Sequence, residues 1–390
     1  TAKEGKKVWI EKIPFIWKHL DFLKKVSARN IFRYKNRLFM MIVGIGGCTA
    51  LLITGFGIRD SIKDVAALQF NEIMRYDISL SVSDGKKAYS NVSSVDGTEK
   101  VLKVLSEADD AIKDSEQKSI NLLVSENGNF DGFVSFALNG KPVSEPKEGE
   151  AIISTSVASV LSAKVGDEIT LRNGNYNEIK VKVSGIFDNY LYNYAVISAE
   201  TYSSGFGKEP EINTLYVNVS ENADIRDVSA KVGSCDGVTA VTVNKDLVTR
   251  VSSTMNSLNY IVLLVLVCAA ALAFIVIYNL TNINIEERIR EIATIKVLGF
   301  RKREVSAYVM REIVVLTALG AVVGLPAGKL LHAFVMSCIN VDQVTFQNKI
   351  TPLSYILSLA LTFVFALTVN IFMSKRLDKI DMATSLKSIE

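Results

Sequence analysis

Residues 286–300 read Glu-Glu-Arg-Ile-Arg-Glu-Ile-Ala-Thr-Ile-Lys-Val-Leu-Gly-Phe, a short charged segment wedged between two apolar runs. Just upstream, Val251 to Ile285 carries no charged side chain, and its apolar core from Leu258 to Leu280 exceeds the roughly 20 residues a spanning helix needs. Downstream, a second apolar run begins at Ile313. Ile285, Ile289, Ile292 and Ala293 recur at helical spacing, and Ile295 and Leu298 widen that stripe. Glu287, Arg288, Arg290, Glu291 and Lys296 fill the rest of the circumference, and Gly299 supplies a left-handed C-cap. The pattern predicts an amphipathic helix at a membrane surface, with one face able to dock and the other wet. Pattern alone more often marks a solvated cytoplasmic connector.

Working outward, composition gives a membrane chain with a large polar insert: 49% of residues are apolar, yet 22% are charged and these are kept out of the apolar runs. Four spans are expected, at 39–58, 256–281, 313–339 and 353–374. Lys329, just after Pro326, interrupts the third, where it should snorkel to the nearer surface. Basic residues flank the spans unevenly. Lys24, Lys25, Arg29, Arg33, Lys35 and Arg37 precede the first, Arg288 to Arg311 lie between the second and third, and Lys375, Arg376 and Lys379 follow the fourth. The short connection at 340–352 offers only Lys349. Positive-inside topology then places 1–38, 282–312 and 375–390 in the cytoplasm and 59–255 outside. The formal charge of +3 is accounted for by that topology and is no sign of nucleic acid.

The insert reads as α+β. "YDISLSV", "GEAIIS", "DEITLRNG", "EIKVKVSGIF", "YAVIS" and "TLYVNVS" are short β-branched or alternating runs, while Thr98 to Leu105, Thr155 to Leu161 and Ala223 to Val232 have helical periodicity. Two subdomains are expected, joined near Glu150 with a return near Glu211. Cys235 is the only cysteine in the insert, so no disulfide framework can be built there. Its histidine count is zero, since His19 and His332 lie elsewhere, which removes Ser-His-Asp and Cys-His sites and any histidine-containing zinc site. Asp109 and Asp110, taken as helical neighbours, point apart and do not form a calcium loop. Tyr190, Tyr192 and Tyr194, taken as alternate residues of a strand, share a face that either lines a binding surface or packs on the neighbouring subdomain.

Glycines carry packing rather than phosphate. No GxxxxGK[ST] sequence occurs, and Gly44 to Gly47, with Gly55 and Gly57, belong to an apolar span. Gly320, Gly324 and Gly328 repeat every four residues on one face of the third span, as close helix contacts do. Pro326 would loosen that helix near its outer end.

The segment "ERIREIATIKVLGF" followed by "RKRE" resembles the cytoplasmic coupling segment of FtsX-like (MacB-like) permeases of bacterial ABC transporters. The resemblance continues through "SARNIFRYKNR", "KVGDEITL", "KVSGIFDNYL" and the terminal "MATSLKSIE", covering about the whole chain after Lys24. It implies an α-helical membrane protein with four transmembrane helices and a large α+β extracytoplasmic domain between the first and second. It also implies a multi-pass location in the bacterial cell membrane, no enzyme activity, and no cofactor of its own, ATP being bound by a separate ABC ATPase dimer. Glu287, Arg288, Arg290, Glu291, Ile292, Ala293, Ile295, Lys296, Leu298 and Gly299 would contact that ATPase. A second permease subunit or repeat, membrane lipid, and peptide, lipid or lipoprotein cargo are the other implied partners. Larger family members hold two such repeats, and "IPFIWKHLDFLKKVSARNIFRYKNR" resembles the lead into the second, read as an interfacial helix. Alternatives are an FtsX-type mechanical signal to cell-wall hydrolases without transport, or a membrane-anchored binding receptor.

Overall fold

The computed structural model describes residues 35–63, 65–287, 289–297, 302–339 and 343–378. The expected interfacial helix at the start of the chain lies outside them. Contacts divide the chain into a helical unit (1–61, 259–339 and 348–390) and an α+β unit (62–258 and 340–347).

The chain enters through α1 (Lys35–Lys63) and passes through a π-type turn, Leu68–Ile73, into β1 (Ile78–Val82), α2 (Gly85–Ser93) and β2 (Thr98–Lys113). Asp84 starts α2 by accepting the amides of Lys86 and Lys87. Then follow β3 (Glu116–Ser125), the small hairpin β4 (Ala137–Leu138) and β5 (Lys141–Pro142), β6 (Glu150–Ser154), α3 (Thr155–Val160), β7 (Glu168–Arg172), β8 (Glu178–Phe187), β9 (Tyr194–Ser198) and α4 (Ala199–Phe206). The unit finishes with β10 (Thr214–Val219), α5 (Ile225–Gly233), capped by Asp224, and β11 (Val238–Val243).

Two halves far apart in the chain make the first subdomain. β1-α2-β2 and β10-α5-β11 combine as antiparallel strands in the order β11-β1-β10-β2, a split βαβ arrangement. Ile78, Leu80, Leu215 and Val217 on one sheet face pack against Ala88 and Val92 of α2 and Val228 and Val232 of α5. The second subdomain is inserted between these halves. β2 is 16 residues long, so beyond its pairing with β10 it continues against β3 and, from Asp110 to Ile112, against β7. The ladder β2-β3-β9-β6-β8-β7 thereby returns to β2 and closes a six-stranded barrel, which leaves no open edge within that ring. Its interior holds Leu105, Leu122, Ile153, Leu171, Val183, Ile197 and Tyr202. Where β2 leaves β10, the Asn213 side chain accepts from the Ser106 N–H and donates to the Ser106 carbonyl, standing in for the missing strand.

Two sequence expectations are corrected here. Thr98 to Leu105 is strand, not helix. Val104 belongs to one apolar cluster and Leu105 to another, so both faces of β2 are covered at that point, and the apolar pairs Val101-Leu102 and Val104-Leu105 imitate helical spacing. The subdomain junction is not near Glu150, which lies inside the barrel on β6; it falls within β2 itself, at Val104, where pairing with β10 ends and pairing with β3 begins.

The remaining elements are α6 (Asn244–Glu287), α7 (Ile289–Val297), α8 (Lys302–Cys338) and α9 (Pro352–Asp378). Among the described residues, α1, α6, α8 and α9 are the helices long and apolar enough to cross a membrane. α8 runs through Pro326 to Cys338, and Lys329 lies exposed on it.

Candidate functional site

The motif helix α7 ends at Val297. Ile292 and Ala293 are fully buried, and they lie in the core of the helical unit with Ile285 of α6, Val305, Val309 and Ile313 of α8, Val369 and Met373 of α9, and Met41 of α1. The apolar stripe is therefore not an open face awaiting a partner. Burial of Ile292 against its own chain corrects that expectation, because an amphipathic pattern shows that a face is covered without showing by what. Ile295 packs at the edge of this core. The outward face presents Glu287, Thr294 and Val297. Arg288, Leu298 and Gly299 lie outside the described residues. Arg290, Glu291 and Lys296 are on the helix, with side chains outside the description.

Gly320, Gly324 and Gly328 of α8 lie along α1. A Cβ on Gly320 would stand 2.9 Å from the Ile45 Cβ, one on Gly324 2.7 Å from the Gly46 carbonyl oxygen, and one on Gly328 2.8 Å from the Ile53 Cβ. A Cβ on Gly46 would in turn stand 3.0 Å from the Gly320 carbonyl oxygen. The two backbones thus touch over two turns, an approach open only to residues without side chains. The other glycines of α1 divide by neighbour: Gly44 and Gly55 face Leu280 and Leu266 of α6, Gly57 lies against the His332 ring, and Gly47 has nothing within 4 Å.

Polar contacts continue the seam. The Thr54 hydroxyl donates to the Gly328 carbonyl (3.4 Å), Thr49 and Thr362 hydroxyls are 3.2 Å apart, and Ser61 Oγ is 3.2 Å from His332 Nε2. Asp60 Oδ2 accepts from Thr351 N, Thr351 Oγ1 and Ser354 Oγ at 2.6–2.9 Å, capping α9 from another helix. Asp60 carries no local capping signal, because it lies 291 residues from the Thr351 amide it accepts, whereas most caps lie within a few residues of their helix.

In the α+β unit, two buried amides hold the roots of α1 and α6. Asn244, the first residue of α6, donates from Nδ2 to the carbonyls of Phe70 (3.0 Å), Met74 (2.8 Å) and Tyr76 (2.9 Å). Gln69, in the π-type turn, donates from Nε2 to Asn189 Oδ1 at 2.9 Å. Its Oε1 accepts from Tyr190 N and Leu191 N at 2.9 and 3.0 Å. A π-type turn inserts a residue and exposes backbone carbonyls, here that of Phe70, while Met74 and Tyr76 belong to the segment that follows it.

The tyrosines do not share a strand face. β9 begins at Tyr194, and Tyr192 has a φ of 63°, which breaks the alternation. Asp109 and Asp110 sit on β2 rather than on a helix. Asp110 reaches Arg172 (3.3 Å) and Ser119 (2.9 Å) on one face, whereas Asp109 turns inward with Leu105 and Ala111. Burial, with Glu107 and Asp110 adding repulsion against the relief of Lys208, raises the Asp109 pKa to about 7. Tyr202 donates to Glu107 at 3.0 Å, and no group of three His, Cys, Asp or Glu suited to a metal occurs among the described residues.

Comparison with known proteins matches a MacB-like periplasmic core domain to residues 38–234, half of the chain, and an FtsX-like permease C-terminal domain to residues 263–382. An uncharacterized ABC transporter permease from Methanocaldococcus jannaschii is 26% identical over 174 residues, 43% of each chain, so the match spans less than half of that relative. Among solved structures, the extracellular domain of the noncanonic ABC-type transporter YknZ from Gram-positive bacteria is 16% identical with a TM-score of 0.31, covering 43% of this chain and 98% of that one. The periplasmic region of MacB from Actinobacillus actinomycetemcomitans is 9% identical with a TM-score of 0.33, covering 46% and 94%.

Proposed function

Because the chain belongs to the FtsX-like, MacB-like permease family of ABC transporters, we propose that it is the membrane-spanning subunit of a complex whose ATP is bound and hydrolysed by a separate ATPase dimer. The observation that carries this reading is α6, a single helix of 44 residues. At one end it is followed after one residue by α7, and at the other Asn244 fastens it to the root of α1. An ATPase that changes shape with its nucleotide can shift such a helix only by binding one of its positions better than another, so contacts at α7 supply the drive. The docking surface in this reading includes the outward face with Glu287 and Val297, and Arg288, Arg290, Glu291 and Lys296 are the charged residues of the same stretch of sequence. The α+β unit lies outside the cell membrane and carries the output, which is export or handling of a peptide, lipid or lipoprotein cargo, with a second permease subunit or repeat completing the complex.

Two measurements test this. A cysteine at exposed Asn127 or Asn175 should react with an impermeant thiol reagent in intact cells, and one at Lys302 should not. The permease should also co-purify with its ATPase; a reversed labelling pattern or a permease that never associates with one overturns the assignment.

A further inference from the structure

The loop at 188–193 holds two chain segments that belong to different pairs of spans. On one side it receives Gln69, whose amide is satisfied at both ends by Asn189, Tyr190 and Leu191. Asn189 completes the arrangement by donating from Nδ2 to the carbonyls of Leu191 (2.7 Å) and Tyr192 (2.8 Å). On its other side the loop receives residues 343–347, part of the connection from α8 to α9. Tyr192 N donates to the Gln343 carbonyl at 2.7 Å, Thr345 N donates to the Tyr190 carbonyl at 2.8 Å, and Leu191 and Val344 pair as an antiparallel bridge. Gln347 Nε2 donates to the Tyr190 hydroxyl. Val344 and Phe346 pack onto the same apolar cluster as Phe70, Ile73 and Leu191.

Gln69 is 1% and Asn189 0% exposed, so neither amide has water to fall back on. A buried amide that loses its partners keeps the full desolvation cost, which makes the loop conformation and the seating of Gln69 conditional on each other. Tyr192 and Gln343, which bond across the second contact, both take left-handed φ values of 63° and 65°. Side chains rarely adopt that region unless surrounding contacts impose it, so the loop keeps its shape while the connector is docked. Both sides draw on Tyr190 and Leu191, with Asn189 bonded to Gln69 and to the Tyr192 carbonyl, and groups in one hydrogen-bond network are energetically coupled.

We propose that loop 188–193 is a junction coupling the root of α1 to the connector between α8 and α9, with Gln69, Asn189 and Tyr190 as its positioning residues. Displacing the root of α1 then loosens the connector, and releasing the connector loosens the root. The purpose of the junction rests on the permease reading above, whereas its existence is tested without any ATPase.

The test is hydrogen exchange on the full chain in lipid nanodiscs, comparing wild type with Thr345→Pro, Gln69→Ala and the double variant. Thr345→Pro removes the N–H given to Tyr190, so 343–347 must exchange faster in either case. Coupling requires more: residues 66–74 should exchange about tenfold faster as well, while the β7–β8 hairpin keeps wild-type protection, and the double variant should add little to either single one. Oxidising a Leu191→Cys/Val344→Cys pair in the Thr345→Pro chain should restore protection at 66–74, since bridge partners stand within disulfide range. Faster exchange confined to 343–347, or additive effects of the two variants, overturns the proposal. If Thr345→Pro also exposes β7–β8, Gln347→Ala, which deletes only the bond to Tyr190, replaces it with the same two outcomes on a smaller scale.

Discussion

Gly324 of α8 faces the carbonyl oxygen of Gly46 of α1 so closely that a Cβ at 324 would lie 2.7 Å from it. Backbone cannot yield as a side chain can, so even Gly324→Ala should separate the helices, and Gly324→Leu should lower the yield and thermal stability of detergent-extracted protein while membrane insertion is kept. Gly47→Ala is the control: the position is open, and alanine is the better helix former by about 1 kcal/mol. Equal stability of wild type and Gly324→Leu would place the glycine face against lipid.

Ile292→Asp separates an internal from an external use of α7. With Ile292 buried among α1, α6, α8 and α9, an unpaired charge there should cost on the order of a few kcal/mol of the chain's own stability, seen as loss of folded permease before any partner is added. Val297→Asp and Glu287→Lys change the outward face and should leave yield and melting temperature alone while reducing ATPase co-purification. Full ATPase binding by both outward variants would leave α7 as a structural connector.

The contrast between these two helices shows what a sequence discloses. Gly320, Gly324 and Gly328 could be read because a four-residue glycine period in an apolar helix has few uses besides close packing. The stripe of Ile289, Ile292 and Ala293 was equally visible, yet periodicity reports a covered face and is silent about the cover. The strands β6 to β10 stand out by their β-branched runs, whereas β2 is hidden because neighbouring Val104 and Leu105 are both buried, which breaks the alternation of a strand. Gln69, Asn189 and Asn244 were illegible for a different reason. Gln69 and Asn189 are 120 residues apart and Asn244 lies 168 to 174 residues from the carbonyls it serves, and an amide in a polar segment looks the same whether it meets solvent or a buried carbonyl.

Asp109 should make the α+β unit more stable in acid than at neutral pH. Its pKa rises from 3.8 unfolded to about 7 folded, so the native state holds a proton that the unfolded chain has released, and stability falls as pH climbs through that interval. Asp109→Asn should remove this slope and raise stability at pH 8 toward the value at pH 5. The readout is hydrogen exchange of the paired β2 and β3 amides around Asp109 and Ile120. A variant whose slope between pH 5 and pH 8 equals that of wild type would assign the dependence to other groups.

Asn244 offers the sharpest test of how the roots of α1 and α6 are held. Its Nδ2 serves three carbonyls, whereas its Oδ1 is buried without a hydrogen-bond partner, so the side chain contributes as a donor only. Removing it in Asn244→Ala leaves three carbonyls short of a donor, a loss of about 1–3 kcal/mol. Asn244→Asp keeps the shape but turns a carboxylate oxygen toward those carbonyls, replacing attraction with repulsion in a buried place. The aspartate variant should therefore be less stable than the alanine variant at pH 8, and the gap should narrow toward pH 5 as the introduced acid is protonated. Because the contact joins the first residue of α6 to the turn after α1, faster hydrogen exchange should appear at 66–77 and 244–250 together. If Asp at 244 is tolerated as well as Ala at both pH values, the carbonyls of Phe70, Met74 and Tyr76 do not depend on this donor, and the anchoring of α6 has to be sought in its apolar contacts through Leu247, Val248 and Val251.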